Sequence, residues 1–479
     1  MLTQESKVNP IVSKRGIDKM PAMKEMKNEQ TDLFVPNGTH VTKAKVVRLE
    51  QIRLLGKIGR NKMRKMKDSG IEWIGEIPED WDVIRLRYLC EIFTGNQDTQ
   101  DNVSDGIYPF YVRSPIVEKS NKYTFEGPAI LMAGDGVGAG KIFHYVDGKY
   151  GCHQRVYSLQ HIHNVNRRYL YYYLQNLFYI SIETANTKST VDSVRLSMLQ
   201  DFPIAMPTFE QQQIADFLDE KVSQIDSVIS KTRETIEEYK KLKQSIITEV
   251  VTGKVKIENE KVCGKYDTYK DSGIEWIGKI PSEWKITKIK HEGIVRNGLT
   301  YTPTDVCDKE EGELVLRSSN IQDNKLILDD CVFVNTKINN ELYVKENDIL
   351  ICSRNGSPKL IGKNALIPAN LRASFGAFML IYRCKIPFYI RLVLNSDIFS
   401  YYLGNFLTVS VNQLTIGNFN EIQFPLPPKQ EQDKILMYLN RKCSEIDNLI
   451  TKKEQLVVEL EAYKKSLIYE VVTGKKEIC

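Results

Sequence analysis

KDSGIEWIGEIP at residues 67–78 returns almost unchanged as KDSGIEWIGKIP at residues 270–281, 203 positions on, differing only at Glu76/Lys279. A second repeated stretch, EVVTGK, closes each copy at residues 249–254 and 470–475, an offset of 221. A period near 200 residues is far too long for a solenoid, so the pattern describes a whole domain duplicated with a linker helix. The second copy is the longer by 18 residues, the difference between the offsets. The frame is held while its contents change. Trp73, Ile74, Ile77 and Trp81 among Gly70, Gly75 and Pro78 suit a buried turn at a domain edge, and its duplication argues for a structural or subunit-docking part.

Outward from the opener, residues 84–92, 127–133, 141–146 and 154–159 are short apolar runs broken by turns, as in a strand-rich mixed domain. Residues 168–180 (RYLYYYLQNLFYI) form a helix with Tyr169, Tyr172, Tyr173 and Leu177 on one side. In the second copy the strand-like runs are 313–317, 348–353, 365–368 and 378–382, followed by one helix over 389–402.

Met206-Pro207 ends the first globular part, and residues 210–250 then read as one helix about 60 Å long. Leu218, Ile225, Thr232, Tyr239 and Ile246 recur every seven residues, as do Val222, Ile229, Ile236, Lys243 and Val250. The copy over 431–471 carries Leu439, Ile446, Lys453, Leu460 and Leu467 with Cys443, Ile450, Val457, Lys464 and Val471. This is coiled-coil spacing, with polar seam positions that fix register at some cost in stability. Each stripe has the other as its obvious partner. Together with the duplicated tryptophans they amount to more docking surface than a monomer should expose.

Composition is that of an ordinary folded protein: 479 residues, 42% hydrophobic and 27% charged. Nine scattered cysteines without a CxxC pair suit reduced thiols in a cytoplasm, and no apolar run approaches membrane-spanning length. The net charge of +5 is uneven, since residues 1–66 hold 15 Lys/Arg against 6 Asp/Glu and the rest is net acidic. Nucleic acid would therefore be met through local clusters rather than a general positive field. Residues 1–40 read as a poorly ordered leader, and 41–66 as a basic stretch able to form a helix through Val46, Leu49, Ile52 and Leu55.

No enzyme motif declares itself. GDGVGAGK at 134–141 fails as a Walker loop, because Asp135 stands where glycine is required and Ile142 where Ser or Thr should be. It reads as a tight turn between strands, with approach to a DNA backbone as the alternative. His144, His153, His161 and His163 gather near Cys152, but the second copy has only His291, so no zinc site is expected.

KDSGIEWIGxIPxxW before a variable domain, then a proline turn, EQxxI, a long helix with Ile225-Asp226 or Ile446-Asp447, and EVVTGK, resembles the DNA specificity subunit of type I restriction-modification systems over residues 67–475. The resemblance implies an α+β chain in which two mixed, strand-rich target-recognition domains are separated by two long antiparallel coiled-coil helices. It divides the chain into an extension (1–66), a first recognition domain (67–207), a spacer helix (208–254), a linker (255–269), a second recognition domain (270–428), a second helix (429–475) and a tail (476–479). It further implies a non-catalytic subunit that reads an asymmetric bipartite site in double-stranded DNA and scaffolds two methyltransferase subunits and restriction-motor subunits. S-adenosylmethionine, ATP and Mg2+ would belong to those partners. A stand-alone DNA-modifying enzyme with unread chemistry, and a scaffold that reads nothing, are the alternatives.

Bases are chosen by Arg or Lys on guanine and Asn or Gln on adenine. The candidates are Arg113, Lys119, Gln154, Arg155, Lys188 and Arg195 in the first domain. In the second they are Arg317, Asn320, Arg354, Asn355, Lys359, Arg372, Asn412 and Gln413.

Overall fold

The computed structural model describes residues 64–185, 193–407 and 412–478. The basic helix expected over 41–66 lies outside them except for its last three residues, of which Met66 opens a strand instead. Arg64 already belongs to the folded body: its guanidinium donates to Glu210 at 2.8 Å and Asp80 at 2.9 Å and lies over the Trp81 ring.

Each opener is a small hairpin. Met66–Asp68 pairs antiparallel with Glu76–Pro78, and Tyr269–Asp271 with Lys279–Pro281. The Asp68 and Asp271 carboxylates accept from the N–H groups of Gly70 and Gly273, each at 2.9 Å. Gly70, Gly75, Gly273 and Gly278 all sit at φ near +70°, conformations that other residues adopt with strain. This is why the hairpin sequence recurs almost letter for letter.

The closers explain the rest of the repetition. Gly253 ends the first long helix at φ +70°, where an added Cβ would lie 2.3 Å from Cδ of Pro281. Lys254 then donates to the carbonyls of Ile277 at 2.6 Å and Lys279 at 3.0 Å. At the other end Gly474 presses on Pro78 and Lys475 donates to the Ile74 carbonyl at 2.7 Å. The first EVVTGK thus locks the second opener, and the second EVVTGK returns to lock the first. Trp81 and Trp284 are wholly buried in these joints. The expectation that the duplicated tryptophans supply external docking surface is corrected on this point, because the chain uses these two itself.

The long helices are Gln211–Val251 and Lys429–Val472. Of the expected seam, Leu218, Ile225, Ile229, Ile236, Leu439, Ile446, Ile450, Val457 and Leu460 are buried and Val222 is half-buried. They run antiparallel, as the cross-helix pairs require: Asp226 with Lys464 at 2.7 Å, Arg233 with Glu461 at 2.6 Å, and Lys243 with Asp447 at 2.6 Å. Asp226 and Asp447, and likewise Lys243 and Lys464, stand 221 positions apart. The two Lys–Asp pairs are therefore one contact made twice about a pseudo-two-fold axis. Toward the ends the stripe leaves the partner helix for the domains. Ile247, Val250 and Val251 of the first helix and Ile435, Tyr438 and Leu439 of the second enter the core of the second domain.

Both domains share one strand plan despite their dissimilar sequences. In the first, an antiparallel sheet runs in the order Glu91–Thr94, Val156–Gln160, Ala129–Ala133, Phe143–Val146. In the second the order is Gly293–Asn297, Met379–Cys384, Ile349–Cys352, Asn364–Leu366. Ala129–Ala133 and Ile349–Cys352 are buried at every residue, hence continuous apolar runs rather than alternating ones. Each domain adds a second sheet with one parallel pair, Tyr108–Tyr111 beside Lys149–Cys152 and Glu313–Leu316 beside Ser374–Phe375.

The expected tyrosine-rich helix is Arg167–Ala185, with Tyr169, Tyr172, Tyr173 and Leu177 buried. The single helix expected over 389–402 is instead two, Pro387–Leu394 and Asp397–Phe406. The chain breaks at Asn395-Ser396, where the Ser396 hydroxyl accepts from the Ile398 N–H and caps the second helix. The linker over 255–269 is not a plain connection. It holds the hairpin Ile257–Glu258/Lys261–Val262, whose Ile257 is buried, and Tyr266, which donates to Glu431 on the second long helix.

Candidate nucleic-acid interface

Strands Tyr108–Tyr111, Ala129–Ala133 and Lys149–Cys152 all deliver their C-terminal ends to one edge of the first domain. Backbone bonds tie the loops there together. Gly134 N–H donates to the Arg155 carbonyl at 2.9 Å, and Val194 N–H to the Gly134 carbonyl at 2.7 Å. The glycines of GDGVGAGK are steric requirements: a Cβ at Gly134 would lie 2.9 Å from the Tyr157 ring, and one at Gly138 2.7 Å from the Arg113 carbonyl. The stretch is the inter-strand turn the sequence indicated.

That frame sets side chains from three segments around one carboxylate. Asp135 Oδ1 accepts from Arg113 at 3.0 Å, and its Oδ2 lies 3.6 Å from Nε of Arg155. Below them His153 is buried, its Nδ1 accepting the Arg155 N–H at 2.9 Å and its Nε2 lying 3.5 Å from Asp98. Burial and then the nearby Arg113 charge hold the His153 pKa below the ordinary histidine value, while Asp98 is held low mainly by the Thr99 N–H. Gln154 is exposed on the same turn, and exposed Arg195 follows the strand-like bridge between Asp135 and Ser193. Val137, at the tip of the glycine loop, is almost wholly exposed.

The second domain rebuilds this edge. Ser353 N–H donates to the Phe378 carbonyl at 2.9 Å, Leu414 N–H to the Ser353 carbonyl at 2.8 Å, and Arg354 bridges Gln413. By matching bonds Arg354 takes the place of Asp135 and Phe378 that of Arg155, and by strand register Ser318 takes that of Arg113. A cleft of about 800 Å³ opens here, lined by Arg354, Asn355, Asn412 and Gln413 with Phe378 and Ser318. The Arg354 guanidinium lies 5.2 Å from the centre of the Phe378 ring, and Asn355 donates to the Ser318 hydroxyl at 3.2 Å.

Eight expected candidates thus gather: Arg113, Gln154, Arg155 and Arg195 on one edge, and Arg354, Asn355, Asn412 and Gln413 on the other. Five lie elsewhere or have other work. Asn320 is fully buried, with its amide donating to the carbonyls of Ile327 and Asp330 and its oxygen accepting the Arg317 N–H. It holds a turn, and its side chain is buried rather than presented at the surface. Arg317 is paired with Asp330 at 2.9 Å. Arg372 is held by both oxygens of Glu313, at the opposite end of strand Glu313–Leu316 from the cleft. Lys359 lines a separate hollow of about 500 Å³ against the first long helix. Lys119 lies on the edge strand Glu118–Ser120, opposite Pro109. Lys188 lies outside the described residues. Asp135, Phe378 and Ser318 are the contributions the sequence did not disclose; position inside a glycine loop was the only signal for Asp135.

Among the described residues no group of three His, Cys, Asp or Glu is placed to hold a metal. His144 lies 3.2 Å from the Ser114 carbonyl and His161 3.0 Å from Glu91. No described helix is long and apolar enough to cross a membrane.

Comparison with known proteins agrees with this duplicated plan. The Type I restriction modification DNA specificity domain family matches residues 78–238 and 281–460, more than two thirds of the chain. The MjaVIII specificity subunit of Methanocaldococcus jannaschii is 26% identical over 424 residues, 83% of this chain and 93% of that protein. The EcoDI specificity subunit of Escherichia coli is 29% identical over 183 residues, 38% of this chain but only 40% of that protein. One chain from a solved structure of a type I R-M system superposes with a TM-score of 0.58 at 15% identity, over 84% of this chain and 99% of that one, a likeness of fold. With the family matched once in each copy, each match running from a domain into its long helix, this chain belongs to the type I restriction-modification DNA specificity family.

Proposed function

We propose that the chain reads the two unlike halves of a split site in double-stranded DNA. One half is read at the Arg113–Asp135–Arg155 edge and the other at the Arg354–Phe378 cleft. The observation that carries this reading is a single loop frame built twice, with different side chains at equivalent positions. A reader of one sequence twice would keep its side chains; a passive scaffold would have no reason to change them within so fixed a frame. Guanidinium and amide groups at both edges suit base edges in the major groove, and the charged groups around them suit phosphates.

On this reading residues 67–207 and 270–428 are the two recognition domains, and the helices within 208–254 and 429–475 set the distance between them. The chain's role is non-catalytic. Two methyltransferase subunits and restriction-motor subunits would assemble on it in the cytoplasm, bringing S-adenosylmethionine, ATP and Mg2+. The test is to map methylated sites on randomised duplexes with the assembled methyltransferase complex. The expected product is an asymmetric motif of two defined halves around an unread spacer, with neither methyl transfer nor cleavage by the purified chain alone. An unsplit motif, or activity in the isolated chain, would contradict the proposal.

A further inference from the structure

We propose that Asp135 is a positioning residue that aims the Arg113 and Arg155 guanidiniums at guanine in the first half-site, an inference that rests on reading this edge as a DNA interface. The three residues come from separate segments, so their meeting is a property of the fold. The carboxylate is one-fifth exposed, whereas the Arg113 side chain is 42% and the Arg155 side chain 64% exposed. The carboxylate therefore forms the floor and the guanidiniums the outward surface. Arg155 approaches the floor through Nε, and among the described residues no hydrogen-bond partner takes its two terminal nitrogens, whose donors can serve a ligand.

Such a pair of parallel donors matches a base edge carrying two acceptors. In the major groove guanine offers O6 and N7, whereas adenine sets a donor beside its acceptor and cytosine presents a donor. Without Asp135 the two cations would repel and turn toward phosphates, where they would add affinity without choice. Behind them, the Arg155 backbone is fixed by His153 Nδ1 and by the Gly134 N–H.

The second cleft supplies the contrast. There the floor position is Arg354 and the outward positions are Phe378 and Ser318, so the floor changes sign and the outward positions are uncharged. Loss of Asp135 should accordingly disturb one half-site and leave the other as it was.

The experiment maps methylated sites on randomised duplexes, using complete methyltransferase complexes carrying the wild-type chain, D135N, R113A, R155A or R155K. The wild-type first half should contain guanine at a position where R155A lowers the preference by roughly 5- to 150-fold, the range expected for one bidentate contact. R155K should lower it too, since a lysine keeps the charge and loses the fork. D135N should relax the same guanine while the second half-sequence stays unchanged, a pattern that a general loss of folding would not give. If D135N does not assemble, D135S takes its place, while R113A and R155A test the guanine contact itself. An Asp135 variant that keeps the guanine preference, a first half without guanine, or R113A and R155A complexes that both retain every first-half base, would overturn the inference. The underlying reading fails separately, if exchanging residues 83–200 leaves the first half-sequence unaltered.

Discussion

Asn320 and Arg354 are both polar residues near the end of a strand in the second domain, yet only Arg354 is exposed. The Asn320 amide is spent on the Ile327 and Asp330 carbonyls inside the protein. Replacing it with alanine should strand those carbonyls at a cost of about 1–3 kcal/mol. The expected result is a lower melting temperature of the assembled complex with an unchanged methylated motif; a changed motif would make Asn320 a reader after all. His153 gives a pH dependence with a definite sign. Its folded pKa is depressed by burial and then by Arg113, whereas in the unfolded chain it titrates near 6.5. Its contribution to stability is therefore complete above that value and is lost as pH falls through it toward the folded pKa. Half-buried His144 is shifted the same way, so H153Q should flatten only part of the fall in melting temperature between pH 7.5 and 5.5. An identical fall in wild type and H153Q would contradict this. Residue type was legible in the sequence, and so were the arginines as a class. Which of them share a carboxylate depends on loops meeting across the fold, and no local pattern encodes that.

The long helices were the most legible elements, because a seven-residue apolar repeat can be satisfied only by a helix with a partner along that stripe. Less legible was where the stripe changes partner. Ile247 lies outside the expected seam yet is buried against the second domain, and Leu439, within it, packs there too. The break at Asn395-Ser396 was hidden for a different reason, since the apolar spacing runs through it and only the serine cap marks it. The antiparallel register makes a sharp prediction. Residues 232–238 and 453–459 are equivalent by the 221-residue offset and also face one another across the axis. Deleting either heptad alone would misalign Lys243 with Asp447 or Asp226 with Lys464. Deleting both should preserve the two pairs while shortening the spacer by about 10 Å. Complexes that still assemble should methylate the same two half-sequences with up to about three fewer unread base pairs between them. An unchanged spacing would show that the helices do not set it.

At the largest scale the described residues close upon themselves: the second long helix ends against the opener hairpin of the first copy, some 400 positions earlier in sequence. The repetition of opener and closer was plain in the sequence. That each closer serves the other copy's opener was not, because identical partners look alike whichever way they are matched. Gly474→Ala tests the joint, since it would force a side chain into a left-handed conformation and to within 2.4 Å of Pro78. A loss of at least about 1–2 kcal/mol in stability is expected from the backbone alone, read as a lower melting temperature. Within this closed frame the two domains should read independently. Exchanging residues 83–200 for the matching region of another specificity subunit, and mapping methylated sites with the assembled complex, measures this. One half-sequence should change to that of the donor while the other half is retained; independent reading would be refuted by a motif altered in both halves, or in neither.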